Sequence, residues 1–365
     1  MRRLRILHGP VEPAGVAGAL VWGLRRRGHD AELVLMVPAP FGMECDRLVS
    51  GYGARAVEGL RAPLRHDVLH FHFNVTFAEY LDAMWGRVAG RPTMIMHFHG
   101  DDCRRRTVTF AHHPARARVY DVSKRNEHLT ARRLRLAGRL CAAAIVGDLE
   151  LLENVRPYFR AVYVVPLPLR LDRLPDVGPP SAAPEDPGTT DAAGGPVIFH
   201  APSHPIVKGT PMITAALEQV AAHRPIRPRL VTGRPHAEVT AEIVAADIVI
   251  DQMNSETSGM FALEGMALGK PVLCEYRREM LGSFARDTPL VRVTPETLAP
   301  VIEGLCADPA RRAALGREGY RFVRQVHNAD RVATAMERIY AHAATRPRGV
   351  WEVTDREFQL LERGT

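Results

Sequence analysis

The sequence predicts an α/β fold made of two doubly wound domains that face a central cleft. Short apolar runs alternate with helical patterns over residues 1–170, and the same alternation restarts over residues 197–344. A Pro/Gly-rich segment, residues 171–196, separates the two halves. A chain of 365 residues also exceeds the length at which one hydrophobic core usually stops growing. Each half should therefore build its own parallel sheet with right-handed crossovers.

The first half should open with a strand at LRIL and a helix over residues 15–27. Its further strands are expected at AELVLMV, DVLHFHF, TMIMHFHG, CAAAIVGD and AVYVVP, with a helix over residues 77–89. In the linker, ten of the 22 residues 175–196 are Pro or Gly, which is too poor in large apolar side chains for a core.

The second half should alternate strands at GPVIFHAPS, RPRLVTG, ADIVIDQM, KPVLCEY and LVRVT with helices that include residues 209–223 and 259–268. The tail, residues 345–365, presents Trp351, Phe358 and Leu361 on one face. That surface is too small to fold alone, so we expect the tail to dock back on the first domain. Ligands of open parallel sheets bind at the carboxyl ends of the strands, which places the default site in the cleft between the domains.

Composition limits the class of protein. The chain is 46% hydrophobic and 24% charged, which is typical of a soluble globular protein, and five scattered cysteines show no C-x-x-C spacing. Neither a disulfide framework nor a structural zinc site is expected. The start, MRRLRILHGPVEP, resembles a first strand more than a signal peptide, so we expect a cytoplasmic protein.

The net charge of +7 comes largely from arginine and is concentrated in residues 101–140. On a helix over residues 124–140, the arginines lie beside a leucine stripe. This surface is either a solvated helix face or a peripheral contact with an anionic lipid or a phosphorylated acceptor. No recognition motif or aromatic interleaving accompanies the charge, so nucleic acid is not an expected partner.

The first loop, HGPVEPAGVAG, follows a strand and opens a helix, as phosphate-binding loops do. Gly15 would let a ligand approach the backbone, but a tight turn also explains a glycine there. The loop contains no G-x-G-x-x-G and no Gly-Lys-Ser/Thr. The missing patterns argue against a dehydrogenase or a P-loop enzyme.

The segment MHFHGDD ends a strand with His97, His99, Asp101 and Asp102. The two histidines share one face of the strand, and His99 is nearer the carboxyl end and the cleft. His99 is therefore a catalytic or substrate-positioning candidate, and His72 is a weaker one on the neighbouring strand. A metal site remains an alternative, while the aspartates could simply cap a turn or a helix.

The segment HAPSHPIVKGT places Lys208 beside a glycine where a helix begins. A mobile ammonium group, free backbone N–H groups and the positive end of the helix dipole together suit a diphosphate. A lysine at a helix start is also a common surface feature. The lysine alone does not decide between the two interpretations.

The segment SETSGMFALEGMALGKPV puts Glu256 just before a helix that begins near Ser258 or Gly259, and Glu264 inside it. A first-turn acid is stabilised by the helix dipole, which accounts for Glu256. Glu264 lies in an apolar segment, and a buried carboxylate needs partners. The two hydroxyl groups of a ribose or another sugar ring would supply them.

The Glu-x₇-Glu spacing, set in ETSGMFALEGMALGKPV after ADIVIDQ, closely resembles the donor site of GT-B glycosyltransferases, specifically glycosyltransferase family 4. HAPSHPIVKGT is similar to that family's phosphate-binding segment, VVPLPLRLD to its interdomain crossover, and MHFHGDD to the His-Gly-x-Asp of its acceptor domain. The resemblance implies a retaining glycosyltransferase with two Rossmann-like domains. Residues 1–170 would bind the acceptor, and residues 197–344 would bind the nucleotide sugar. It also implies a nucleotide-sugar co-substrate, with no metal and no resident cofactor.

The resemblance further implies roles for single residues. Glu264 would bind the donor ribose, Glu256 would bind the hydroxyls of the transferred sugar, and His99 would lie beside that sugar and the acceptor. Lys208 would stabilise the departing diphosphate. The backbone groups expected around the diphosphate are those of Gly259, Met260 and Phe261, with Gly15 facing the donor phosphates or the acceptor.

Family members commonly carry a second cation, an arginine six residues before the lysine, where Pro202 stands in this sequence. His204 or Arg234 could substitute for it. A UDP-sugar is the expected donor, and the acceptor is a small molecule or a glycan or lipid-linked hydroxyl. The alternatives are a sugar-nucleotide epimerase or phosphorylase on the same fold, and an inactive carbohydrate-binding protein.

Overall fold

The computed structural model describes residues 2–43, 45–119, 126–178, 194–354 and 358–363. Within them, the chain forms a nine-stranded and a five-stranded sheet. The strands of each sheet run parallel except for one antiparallel hairpin at an edge of the larger sheet. No described helix is both long and apolar enough to cross a bilayer. All five cysteines are free thiols.

The larger sheet has the strand order β14-β13-β7-β6-β5-β4-β1-β2-β3. Its strands are β1 (Arg5–Gly9), β2 (Asp30–Leu35), β3 (Arg47–Leu48), β4 (Val68–His72), β5 (Thr93–His97), β6 (Ala143–Val146), β7 (Ala161–Val164), β13 (Gly349–Val353) and β14 (Leu360–Glu362). Alternate side chains enter different cores because successive residues of a strand point to opposite faces. Ile6 belongs to one apolar cluster and Leu7 to the other.

Helices cover both faces of this sheet. They are α1 (Val16–Arg26), α2 (Tyr52–Arg65), α3 (Leu81–Ala89), α4 (Arg106–His112), α5 (Pro114–Ala117), α6 (Glu127–Leu140) and α7 (Leu149–Val155). Helices α2 and α3 contact each other, and α3 contacts α6. Burial of Ala83 and Leu134 places α3 and α6 on the core that contains Leu7.

The smaller sheet has the order β12-β11-β10-β8-β9. Its strands are β8 (Val197–His200), β9 (Arg227–Leu230), β10 (Ile248–Ile250), β11 (Val272–Cys274) and β12 (Val291–Arg292). The accompanying helices are α8 (Thr210–Ala221), α9 (His236–Ala245), α10 (Met260–Ala267), α11 (Leu298–Ala307) and α12 (Pro309–Val326). This sheet and its helices form the second unit, and the larger sheet with its helices forms the first.

The chain then returns to the first unit. Helix α13 (Ala329–Ala344) contacts α1, and its Met336 and Ile339 join the core that contains Ile6. The chain therefore passes from the second unit back to the first near residue 328. The sequence analysis had ended the second domain later, at residue 344. The reason is that the apolar stripe of α13 is complementary to α1, a long-range match that local periodicity does not reveal.

Strands β13 and β14 follow, and β13 pairs with β7 through Trp351 opposite Tyr163. The Trp351 and Phe358 side chains are buried, whereas Leu361 is exposed. Of the linker predicted at 171–196, residues 179–193 lie outside the described part of the chain. Arg173 in the first part of the linker, and Arg170 just before the linker, border the cleft between the units.

Candidate functional site

A cavity of about 480 Å³ lies between the two units. The first unit contributes the loop before α1, and the second contributes the start of α9 and one face of α10. Its wall includes Glu12, Gly15, Arg173, His236, Met260 and Glu264. Three of the residues predicted for a donor site, Gly15, Met260 and Glu264, are thus brought together from sequence positions far apart.

Glu264 is buried on α10, and its Oε1 lies 2.7 Å from Nε2 of His236 on α9. The hydrogen bond to Glu264 raises the pKa of His236, although partial burial acts in the opposite direction. The charged imidazolium is therefore favoured beside the carboxylate. Sequence reasoning did not identify His236. Its position shortly after the carboxyl end of the predicted strand RPRLVTG was the available signal.

Lys208 lies beside the N-terminus of α10. An ideal Cβ on Gly259 would be 3.4 Å from Lys208 Nζ, so a side chain at this position would crowd the ammonium group. Lys208 Nζ donates to Oε1 of Gln252 at 2.6 Å and lies 4.0 Å from Asp251 Oδ1. Asp251 also accepts the Gly259 N–H at 2.9 Å. A cation therefore lies at the helix N-terminus, where Asp251 contacts both the ammonium group and the N–H of Gly259.

Met260 and Phe261 form the first turn of α10 and are half-buried. Met260 reaches the cavity, whereas the Phe261 ring packs on Phe199 with centroids 5.8 Å apart. The Phe261 side chain therefore anchors the helix start to strand β8. Its predicted contact with a diphosphate concerns the backbone, which this packing holds in place.

Glu256 is fully buried, but it is not part of the cavity wall. Its Oε1 accepts the Ala115 N–H from α5 at 3.2 Å, and Arg277 Nε lies 3.7 Å from Oε2. Oε2 is buried without a hydrogen-bond partner. A buried carboxylate oxygen with no partner is costly, so the oxygen is suited to accept a hydrogen bond from a ligand hydroxyl.

Polar contacts hold the two units together around Glu256. Arg116 donates to Ser255 Oγ at 3.0 Å, and Arg118 donates to Asn254 Oδ1 at 2.9 Å. Arg118 also pairs with Glu275. Part of the basic excess of residues 101–140 thus serves the interface between the units rather than an external anion.

Gly15 precedes α1 with φ of 88°, a left-handed conformation that glycine adopts without strain. The helix N-terminus beside it is already occupied, because Glu12 accepts the N–H groups of Ala17 and Gly18 at 3.1 and 2.7 Å. Burial raises the pKa of Glu12, and these backbone bonds oppose the rise. The predicted phosphate-facing loop therefore contains an internal carboxylate at its helix end.

His99 follows strand β5 and is half-buried. Its backbone N–H donates to the Asp102 carboxylate at 3.1 Å, so Asp102 caps this turn, and burial raises the pKa of Asp102 to about 6. His99 Nε2 lies 3.0 Å from His72 Nδ1. Within the described residues, Asp102 thus bonds the backbone of His99, and His72 bonds its ring.

His99 begins a chain of hydrogen-bonded groups on the first sheet. The chain is completed by Tyr340 of α13 and runs in the order His99, His72, His8, Tyr340, His70 and His97, with separations of 3.0, 3.0, 3.1, 2.8 and 3.3 Å. Burial lowers the pKa of His8 and of His97 to about 3. The hydrogen-bonded side chains are therefore neutral, and each hydrogen bond between two of them requires one shared proton.

The same histidines form two groups of three whose ligand atoms lie within 4.8 Å of one another, close enough to hold a metal ion. Ring geometry favours hydrogen bonding instead. His72 and His99 have centroids 5.2 Å apart and nitrogens 3.0 Å apart, so the bonded nitrogens face one another almost along the line of centres. Metal ligation requires lone pairs that converge on a third atom, whereas these two nitrogens point at each other.

The two side chains expected to supply a second cation point elsewhere. The imidazole of His204 is exposed and accepts the Val207 N–H at 3.4 Å. Arg234 is exposed and pairs with Glu238 at 3.4 Å. Arg173 borders the cavity instead. It lies in the first part of the linker, where no sequence pattern marks a ligand contact.

Comparisons with known proteins agree with this architecture. The family model described as glycosyl transferase-like matches residues 216–338, which contain Glu256 and Glu264. Sucrose-phosphate synthase from Thermosynechococcus elongatus is 16% identical with a TM-score of 0.66, and the match covers 93% of this chain and 99% of that chain. The chain has a GT-B fold. The predicted fold class is confirmed.

Further GT-B structures are similar over nearly their whole length. Anabaena HepE, in complex with UDP and glucose, is 14% identical with a TM-score of 0.61, and the match covers 92% of this chain and 99% of that chain. A putative UDP-N-acetylglucosamine 2-epimerase from Listeria monocytogenes is 11% identical with a TM-score of 0.53, and covers 95% and 99%. No curated protein sequence matches the chain.

Proposed function

We propose that this protein is a retaining glycosyltransferase of family 4 that transfers a sugar from a nucleoside-diphosphate sugar to a hydroxyl acceptor. The observation that carries the proposal is the meeting of Lys208 with the N-terminus of α10, between two buried carboxylates. Glu256 has a buried oxygen without a hydrogen-bond partner, and Glu264 reaches the cavity. A nucleotide sugar has the matching order, because its anionic diphosphate lies between two sugar rings and would face a cation between two carboxylates.

In the proposed complex, the ribose binds Glu264, and the Lys208 ammonium and the backbone N–H groups of α10 bind the diphosphate. Arg173 adds positive charge to the cavity wall. A hydroxyl of the transferred sugar donates to Oε2 of Glu256. UDP is the proposed nucleotide because the similar HepE structure contains UDP and glucose.

The proposed reaction is a same-face attack by the acceptor hydroxyl on the anomeric carbon. The bond to the diphosphate breaks as the new glycosidic bond forms, and the acceptor proton passes to the departing phosphate oxygen. Lys208 and the dipole of α10 stabilise the charge that develops there, so the chain's own cations replace a metal ion. His99 lies at the carboxyl end of β5, where it would orient the sugar and the acceptor.

The first unit would bind the acceptor, a small molecule or a glycan or lipid-linked hydroxyl. We place the protein in the cytoplasm, since its five thiols are free and four of them are buried. An epimerase is the second candidate because the similar structures include a putative UDP-N-acetylglucosamine 2-epimerase. It would convert a donor without any acceptor.

The test incubates the protein with UDP-, GDP-, ADP- and dTDP-sugars and measures nucleotide release with and without added acceptors. Acceptor-dependent release with an unchanged anomeric configuration by NMR supports the proposal. Conversion of the donor's sugar without acceptor identifies an epimerase. Absence of both binding and release for every donor refutes the enzymatic function.

A lysine pair provides the matched control. Lys208→Met should lower turnover by about a hundredfold because it removes a cation from the developing charge. Lys208 follows the carboxyl end of strand β8, whereas Lys270 lies before the amino end of strand β11, away from the predicted ligand side, so Lys270→Met should retain activity. Equal activities of the two variants would contradict the assigned role of Lys208.

A further inference from the structure

Helices α2 and α3 expose their large apolar side chains and bury their small ones. The residues packed inward include Gly59, Ala62, Ala83 and Gly86. The outward residues include Leu60, Leu81 and Val88, which are 61%, 68% and 79% exposed. A helix on a water-facing surface normally has the reverse arrangement.

The outward apolar residues form one continuous stripe on each helix. Val57, Leu60 and Leu64 lie at i, i+3 and i+7 on α2, and Leu81, Met84 and Val88 have the same spacing on α3. The stripes adjoin, because Trp85 Nε1 on α3 donates to the Leu60 carbonyl at 3.2 Å. We call the surface formed by these seven residues the α2–α3 patch.

The charges on these two helices are separated by sign. Both acids face inward: Glu58 pairs with Arg47 at 2.9 Å, and Asp82 accepts the Thr76 hydroxyl at 2.6 Å. Arg61, Arg65 and Arg87 are exposed on the outer side. Every fully exposed charge within α2 and α3 is therefore positive, which makes the patch complementary to an anionic surface.

The basic surface continues onto the neighbouring helix. Helix α6 contacts α3, and its Arg132, Arg135 and Arg139 are exposed. The leucines beside them that the sequence analysis grouped as a stripe are mostly half-buried; only Leu129 is exposed among them in the described residues. Helix α6 thus contributes charge to this side of the molecule, and α2 with α3 contributes the apolar area.

We propose that the α2–α3 patch docks the protein on the surface of an anionic lipid bilayer. A second copy of the chain is a poorer occupant, because a two-fold contact through the same patch would bring arginines against arginines. Phospholipid headgroups offer negative charge to the arginines and an apolar layer beneath it to the leucines. Tyr52 and Trp85 then lie at the headgroup level, where such rings are enriched.

The direct test is cosedimentation of the purified full-length chain with phosphatidylcholine vesicles, with and without phosphatidylglycerol. We expect binding to the anionic vesicles that weakens as salt is raised. Arg61→Ser and Arg87→Ser should each reduce the partition coefficient about fivefold at low salt. Unchanged binding in both variants, or no binding to anionic vesicles at all, would overturn the proposal.

The apolar part is tested with the double variant Leu81→Glu, Val88→Glu. Its matched control places glutamates at Ile206 and Leu230, which are exposed on the second unit. We expect the double variant alone to lose vesicle binding, with the thermal melting curves of both variants unchanged. Retained binding in the double variant, or loss of binding in both proteins, would overturn the docking surface.

Sedimentation velocity without lipid tests whether the α2–α3 patch instead binds a second copy of the chain. A dimer that the double variant disperses, together with absent vesicle binding, would assign the patch to self-association and refute the proposal. The inference goes beyond the proposed function and does not rest on it, because vesicle binding is measured without nucleotide or acceptor. Failure of the donor assay leaves the vesicle result standing, and the reverse also holds.

Discussion

Glu264 shows how a single buried carboxylate is held ready for a ligand. His236 is its hydrogen-bond partner at 2.7 Å, and the two side chains share the wall of one cavity. The hydrogen bond from His236 gives the buried carboxylate the partner that a buried charge requires. A ribose diol would use the remaining capacity of Glu264 without breaking this bond, since a carboxylate accepts several hydrogen bonds.

Glu264→Gln should weaken nucleotide binding about tenfold or more, because a hydrogen bond to a charged group contributes about 1.5–3 kcal/mol. The glutamine keeps the shape of the side chain but not its charge. Isothermal titration with UDP measures the change. Glu238→Gln, an exposed site paired with Arg234, is the control and should bind like the unmodified protein.

Arg173 and Arg234 are rival sources of the second diphosphate cation. Arg173 borders the cavity, whereas Arg234 is exposed and pairs with Glu238. Arg173→Ala should therefore weaken UDP binding about tenfold, and Arg234→Ala should leave it unchanged. The same titration measures both. A loss confined to Arg234→Ala would return the role to the residue suggested by the sequence.

The pKa of His236 predicts a pH dependence of stability. Because the folded-state pKa lies above the unfolded value of about 6.5, the imidazolium–carboxylate pair stabilises the fold fully below pH 6.5. The contribution is lost as pH rises through the folded-state pKa. Urea unfolding across neutral and alkaline pH should show this loss, and His236→Gln should remove it. Equal pH profiles for the two proteins would contradict the assignment.

Sequence reasoning selected candidate residues whose signal is local. Glu264 was recognised because a charged residue interrupts an apolar segment, and Lys208 because it precedes a helix. His236 and Glu12 were missed because their roles depend on neighbours brought close by the fold. His236 is 28 residues from Glu264 along the chain, a separation that periodicity does not connect.

At the scale of elements, glycine sets how closely helices pack. An ideal Cβ on Gly23 of α1 would lie 2.7 Å from the Ala329 carbonyl and 2.7 Å from Ala333 Cβ on α13. On α12, a Cβ on Gly319 would lie 3.0 Å from Met266 Cβ of α10. The first contact attaches α13 to the first unit, and the second supports the helix that carries Glu264.

Gly23→Ala should destabilise the protein by about 1–3 kcal/mol, because the added methyl group meets backbone atoms that cannot rotate away. Gly304→Ala is the matched control, since a methyl group added to Gly304 in α11 would have no atom of the described residues within 4 Å. That variant should be neutral or more stable by about 0.5–1 kcal/mol. Urea titration measures both, and equal stabilities would refute the predicted close packing.

Periodicity predicted most strands and helices, since apolar spacing is a local property. It did not predict which helix packs on which. The outward leucines of α2 illustrate the difficulty: the spacing of Val57, Leu60 and Leu64 indicates an apolar helix face, but only the structure shows that this face is exposed.

At the scale of the molecule, polar side-chain contacts join the two units. Arg118 contacts Asn254 and Glu275, and Thr257 Oγ1 donates to Asp148 Oδ2 at 3.0 Å. These contacts surround Glu256, so the oxygen proposed to bind sugar is shaped by both units. The candidate site needs residues of both units, although the sequence pointed to the candidate residues of each unit separately.

Arg118→Ala should increase the radius of gyration measured by small-angle X-ray scattering, because it removes three contacts between the units. Turnover should fall by about tenfold to a hundredfold, since a misplaced reacting group is slow to react. Addition of the donor should reduce the radius again. A radius equal to that of the unmodified protein would show that the other contacts suffice to keep the units together.

The return of the chain to its first unit determines the order in which the parts can be completed during synthesis. Strand β1 leaves the ribosome early, but Tyr340, which bonds His8 and His70, emerges only with the last helix. The second unit is continuous in sequence and can fold before that point. Nascent chains that stop before residue 329 should therefore contain a folded second unit and an unfinished first one. Of the two units, the one that is translated earlier is the one that matures later.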